Sequence, residues 1–159
     1  MKDSPPRLAH RDPQKDAREG SVVADTIRMV DYFYVVAGDK PGEGSRILHH
    51  LKDADVNLVV LHAFPAGRRT QVDVVPTSAE AFKAAAKVAK WKVVGPKKAF
   101  VIEGEDRVGA LTDYLTRLGD AKINATAVSA ISAGTGRFGA ILWVKPRDVK
   151  RTARVLSVG

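Results

Sequence analysis

Moved by 67 residues, the sequence lies over itself. Subtracting 67 carries Phe100 to Phe33, Asp106 to Asp39, Gly109 to Gly42, Leu115 to Leu48, Leu118 to Leu51, Ala121 to Ala54, Asn124 to Asn57 and Gly134 to Gly67. The register runs without a gap through an apolar run, a glycine loop, a helical stretch and a second apolar run. Such a spacing is too long for a solenoid repeat and suits a small domain present twice. With 159 residues, the chain has room for two of them.

The first copy opens on Tyr32 to Val36, a β-branched and aromatic run that reads as a strand. The loop Gly38-Asp39-Lys40-Pro41-Gly42 follows, then Ile47, Leu48, Leu51 and Ala54 at helical spacing over Glu43 to Ala54. Val56 to Phe64 and Thr70 to Val75 read as strands joined at Ala66 to Arg69. Ser78 suits the N-cap of a helix over Ala79 to Ala89, and Trp91 to Val94 reads as a last strand closed by Gly95-Pro96. The second copy repeats the order with a strand at Ala99 to Ile102 and the loop Glu105 to Gly109. A helix over Ala110 to Ala121, a hairpin of Ile123 to Ser132 and Arg137 to Val144, and a helix after Pro146 complete it.

The order β-α-β-β-α-β predicts an α+β fold of two ferredoxin-like units, each an antiparallel sheet with its helices on one face. The units span residues 31–96 and 97–159. Residues 1–30, with Pro5, Pro6 and Pro13 among charges of both signs, read as a disordered or loosely attached tail whose end leads into the first strand. No fourth strand is evident in the second unit, so its sheet has an exposed edge unless the lead-in, the first unit or another subunit covers it. Residues Leu58 to Phe64 are apolar on both alternations, which calls for cover on both sheet faces, from the sister unit or a second chain.

Composition narrows the chemistry. The absence of cysteine removes disulfides and thiolate catalysis and fits a reducing, cytoplasmic setting. No apolar stretch has the length of a membrane span, and the first twenty residues have no signal-peptide core. The net charge of +8 invites a nucleic-acid reading, but the lysines and arginines lie on or beside helices, where they form solvated faces. Neither metal ligation nor catalysis is expected. His49 and His50 point about 100 degrees apart on a helix, His62 sits in an apolar strand, and no nucleophile has a base beside it. No cofactor is implied.

Both loops read as a strand entering a glycine turn that opens a helix, which aims backbone N–H groups and the positive end of a helix dipole at one spot. The segments Asp39-Lys40-Pro41-Gly42 with Val56-Asn57, and Asp106-Arg107-Val108-Gly109-Ala110-Leu111 with Ile123-Asn124, resemble the ACT domain, a small-molecule-sensing module. The resemblance covers nearly all of Asp31 to Ser157. Val108 stands where that family commonly has proline. What the resemblance implies is a non-catalytic regulatory protein that binds an amino acid at an interface between units. The loop of one unit and the second-strand start of a neighbour would supply the contacts. It implies Asp39, Gly42, Asn57, Asp106, Gly109 and Asn124 as ligand-binding residues, and association as a homodimer.

Plainer roles exist for each. Asp39 and Asp106 also suit helix caps, and Asn57 and Asn124 the left-handed residue after a helix. Two rival functions stand beside the sensor. A ligand-free dimerisation module is one. The other is single-stranded RNA binding on a bare sheet face, for which Arg137 to Trp143 is a faint signature.

Overall fold

The computed structural model describes residues 24–158. Its order is β1 (Thr26–Gly38), α1 (Glu43–Asp53), β2 (Leu58–Ala66), β3 (Arg69–Pro76), α2 (Ala79–Val88), β4 (Val93–Glu105), α3 (Thr112–Asp120), β5 (Ala125–Gly134), β6 (Arg137–Val144), a 3-10 turn (Pro146–Asp148) and α4 (Val149–Val155). The Ser78 hydroxyl caps α2 by accepting from the Ala81 amide at 3.2 Å. Helix α3 starts two residues later than the apolar spacing suggests. The Ala110 and Thr112 amides close tight turns onto the carbonyls of Arg107 and Gly109 before the helix begins.

The strands form one antiparallel sheet in the order β2-β3-β1-β4-β6-β5. Strands β1 and β4 have 13 residues each and serve both halves of it. Phe33 to Gly38 of β1 pair with β3, while Thr26 to Tyr32 pair with Lys97 to Glu103 of β4. Phe100 to Glu105 of β4 pair in turn with β6. The first half-sheet is thus the start of β4, the end of β1, β3 and β2. The second is the start of β1, the end of β4, β6 and β5.

Two expectations change here. The N-terminal half of β1, within the segment read as a tail, is the strand that the second unit lacked; residues 1–23 lie outside the described residues. The boundary drawn at residue 96 falls inside β4. Gly95-Pro96 stops no strand, because Pro96 lies where the β1–β4 register shifts between Tyr32 and Tyr34 and no ladder amide is required of it.

Were the sheet flat, β2 and β5 would stand five strand spacings apart, about 24 Å. Instead the Ser129 hydroxyl meets His62 Nδ1 at 3.4 Å, and the His62 and Trp143 ring centroids are 5.3 Å apart. The sheet therefore folds back on itself and its halves stack. The fold line passes Gly95, whose φ of +133° belongs to glycine and where a Cβ would stand 2.8 Å from the Tyr32 carbonyl oxygen.

Side-chain alternation then gives four layers. Phe33, Val35, Val72 and Val74 face Ile47, Leu51, Phe82 and Ala85 of α1 and α2. Phe100, Leu142 and Val144 face Leu118 and Leu156 on the opposite outside. Between the half-sheets lie Val75, Ala99, Val101, Ile141 and Trp143, with Val30, Tyr32 and Val60 against them. The sister unit covers the face of β2 that carries Val60, while Val59 and Leu61 on the other alternation stay 37% and 45% exposed. RNA binding on a bare sheet face is overturned by the same packing. Phe138 and Trp143 are 6% and 5% exposed, one toward α3 and the other between the half-sheets.

Among the described residues, one charged residue of the middle layer is buried. Asp73 is 6% exposed, faces His62 across the β2–β3 pairing, and accepts from Gln71 Nε2 at 2.7 Å. Burial pushes its carboxyl above the ordinary aspartate value of 3.8, against weaker opposing pulls from Gln71, His62 and Lys97. A raised folded pKa means that the ionised form costs stability once the pH exceeds it, and that the cost disappears below the unfolded value. Asp73→Asn should therefore raise the melting temperature at pH 7. The gain should shrink as the pH falls through that window, as read by thermal unfolding at stepped pH.

Candidate functional site

Each glycine loop opens onto a cleft beside its own second strand. The first cleft, of about 110 Å³, is lined by Asp39, Lys40, Glu43, Gly44, Leu48, Leu61 and Ala63 among others. The second, of about 380 Å³, is lined by Asp106, Gly109, Leu111, Thr112, Leu115, Ile131, Ser132 and Phe138 among others. They are counterparts: the shift of 67 carries Asp106 to Asp39, Leu115 to Leu48 and Ala130 to Ala63.

Their polar character differs. In the first cleft Glu43 pairs with Arg46 at 2.9 Å, and that guanidinium holds the Glu43 carboxyl below its usual range. In the second, the Ser132 hydroxyl donates to Asp106 Oδ2 at 2.5 Å, and the Asp106 amide donates to the Gly136 carbonyl at 2.8 Å. Asp106 is thereby fixed to the β5–β6 hairpin. Helix α1 has Gly42 as its N-cap, at φ 91°, and α3 has Leu111; no side chain caps either. The first-turn amides of both helices are free of side-chain caps, so an anion in either cleft would meet N–H groups and a favourable dipole. Neither aspartate is the helix cap it was suited to be.

Asn57 and Asn124 line neither cleft. Asn57 lies at the far end of α1, in a separate depression of about 480 Å³ with Lys52 and Asp55, while Asn124 is exposed beside buried Ile123. That depression has a helix C-terminus and an acidic side chain, which disfavour a carboxylate. The left-handed residues after the helices are Asp55 and Lys122, each two positions before the asparagine. Among the described residues no group of three or more His, Cys, Asp or Glu is placed to hold a metal ion, and no helix is long and apolar enough to cross a membrane.

Sequence reasoning missed Asp25. Its carboxylate, with the side chain 8% exposed, receives both Arg107 terminal nitrogens, Nη1 to Oδ1 at 3.0 Å and Nη2 to Oδ2 at 2.7 Å. The Tyr114 hydroxyl donates to Oδ2 at 2.6 Å. The Arg107 fork holds the Asp25 carboxyl below its ordinary value, so its stabilisation is present above 3.8 and is lost as the pH falls through the lower folded value. No sequence signal marked it, because Asp25 is distant in the chain and outside the repeat.

No protein-family model matches the sequence, and a search of curated proteins finds no relative. Solved structures do match. Protein BT0572 from Bacteroides thetaiotaomicron superposes with a TM-score of 0.71 at 14% identity, over 82% of this chain and 88% of that one. The ligand-free regulatory subunit of aspartate kinase from Thermus thermophilus gives 0.58 at 10% identity, over 86% and 97%. A structure of aspartokinase alpha and beta subunits gives 0.54 at 16% identity, over 86% and 96%.

The two loop glycines have testable backbone roles. Gly42→Ala and Gly109→Ala should each destabilise by about 1 kcal/mol through left-handed backbone strain. Gly109 should cost more, since its Cβ would stand 3.1 Å from Thr112 Oγ1 whereas Gly42 has open space. Urea unfolding measures both, and a neutral Gly109→Ala would contradict the geometry. At the level of fold, this chain has an ACT-like architecture shared with the regulatory subunit of aspartate kinase, and its own two ferredoxin-like units are joined through common strands.

Proposed function

We propose that the protein is a non-catalytic regulatory module of the cytoplasm that binds an amino acid with an apolar side chain in the second cleft. The observation that carries this reading is the contrast between two clefts in equivalent positions. Small-molecule sites occupy roughly 300–1,000 Å³. The second cleft, shallow and open at about 380 Å³, falls in that range, and the first, more enclosed at about 110 Å³, does not.

The lining suits such a ligand. Leu111, Leu115, Ile131 and Phe138 offer an apolar wall, Asp106 a carboxylate for an ammonium group, and the start of α3 amides for a carboxylate. Gly109 allows close approach to the backbone. The aspartate kinase regulatory subunits that share the fold support a regulatory role. Asp39 lines the lesser site in this reading, and Gly42 stands outside its lining, at the start of α1.

A second copy of the chain fits the same scheme. Strands β2 and β5 end the sheet, and beside them Leu48, Leu61, Leu115, Val128 and Ile131 are 38–70% exposed. Unpaired edges flanked by apolar side chains favour pairing with another chain. In a homodimer the neighbour could also bring Asn57 or Asn124 to a cleft that its own unit does not.

A thermal-shift screen of the common amino acids tests the reading. At about 100 times its Kd a true ligand adds about 2.7 kcal/mol, a rise of several degrees. The expected result is a saturable shift for one or a few apolar amino acids, abolished by Gly109→Asp. A flat screen would overturn the sensor, and a monomer by light scattering would overturn the dimer.

A further inference from the structure

We propose that Asp25 is the positioning residue of the second loop, so that the shape of the second cleft depends on the docking of the N-terminal half of β1. The carboxylate lines neither loop cleft, and its partners Arg107 and Tyr114 stand next in the chain to lining residues of the second. Arg107 belongs to the loop, and Tyr114 stands in the first turns of α3 beside the cleft residue Leu115. Arg107 Nη1 also donates to the Glu105 carbonyl at 3.0 Å, and its guanidinium carbon lies 6.0 Å from the centroid of the Phe138 ring, a cleft wall. One side chain immediately before β1 thus ties the loop after β4 to α3.

The site is shaped for that side chain. A Cβ at Gly104 would overlap the Asp25 carboxylate and stand 2.8 Å from Phe138 Cε1. Because both terminal nitrogens of Arg107 are committed to Asp25, the fork is held as a brace of the loop, and charge-assisted bidentate bonds give it a defined geometry. Lys40, the counterpart of Arg107 in the first loop, makes no ion pair among the described residues. The first loop is therefore an internal control within the same molecule.

The N-terminal half of β1 pairs only with β4 among the described residues, so it is an edge strand of the second half-sheet. Loss of the Asp25 bonds should release the loop before the cores. Amide hydrogen exchange on the full chain tests this, comparing wild type with Asp25→Asn and with Gly104→Ala, which displaces the carboxylate without changing a charge. Exchange over residues 106–112 should quicken about tenfold or more in both variants, while residues 39–45 keep their wild-type rates. Unchanged exchange in the second loop, or equal quickening of both loops, would sink the proposal. Should either variant unfold, Tyr114→Phe removes one hydrogen bond from the cluster and must give a smaller change confined to the same segment.

A ligand arm rests on the function proposed above and is kept separate. Titration with L-leucine should show a Kd weakened about tenfold in Asp25→Asn, beyond any effect of partial unfolding. Wild-type Kd in the variant would confine Asp25 to a structural tie and overturn its positioning role. If wild type itself ignores L-leucine, that ligand is wrong, and the exchange comparison still decides the role of Asp25.

Discussion

Everything in this molecule depends on the sharing of β1 and β4 between two half-sheets. A strand of 13 residues is about twice the usual length, and here each has two jobs. The end of β1 is the first strand of one unit, and its start closes the other. The end of β4 leads into the second loop, and its start closes the first unit. Neither unit can complete its sheet alone. The sheet folds back where these two strands cross their register shift, and both clefts lie at ends of the strands so joined.

The stacking explains why two copies of one plan have diverged. The second hairpin has one residue more than the first, so Ile141 occupies the place of Asp73 and Gly139 that of Gln71. On the inner face one half-sheet is polar where the other is apolar. Asp73 remains tolerable because Gln71 donates to it and His62 and Lys97 stand near. The outer faces diverged as well. The first loop is free of the N-terminal strand, the second is braced by it, and the larger cleft accompanies the brace.

Much of this was legible in the residues. Phe33 and Phe100 are both fully buried, each in the first core strand of its unit, as the shift of 67 required. The helices followed from apolar spacing, and the need for cover on the inner sheet face followed from Leu58 to Phe64. What was not legible had physical causes. Pro96 signals a break wherever ladder amides are needed, and only the irregular pairing beside it removes that need. Thr26 to Val30 carry too little pattern to announce an edge strand, because β4 supplies their pairing partners from more than sixty residues away. Asn57 and Asn124 look apt at their loops, yet two residues earlier Asp55 and Lys122 make the turn, and the asparagines end up far from the clefts of their own units.

By itself the sequence determined the duplicated unit, its element order and the two loops. Those are local matters, governed by side-chain periodicity and by the few residues that tolerate a tight turn. Only the tertiary structure decided that the units share strands, that their inner faces bury Trp143 between them, and that Asp25 reaches Arg107. Those outcomes depend on which distant backbone edges find each other. A pattern of 67 residues written twice is equally consistent with two separate domains and with one interlocked pair.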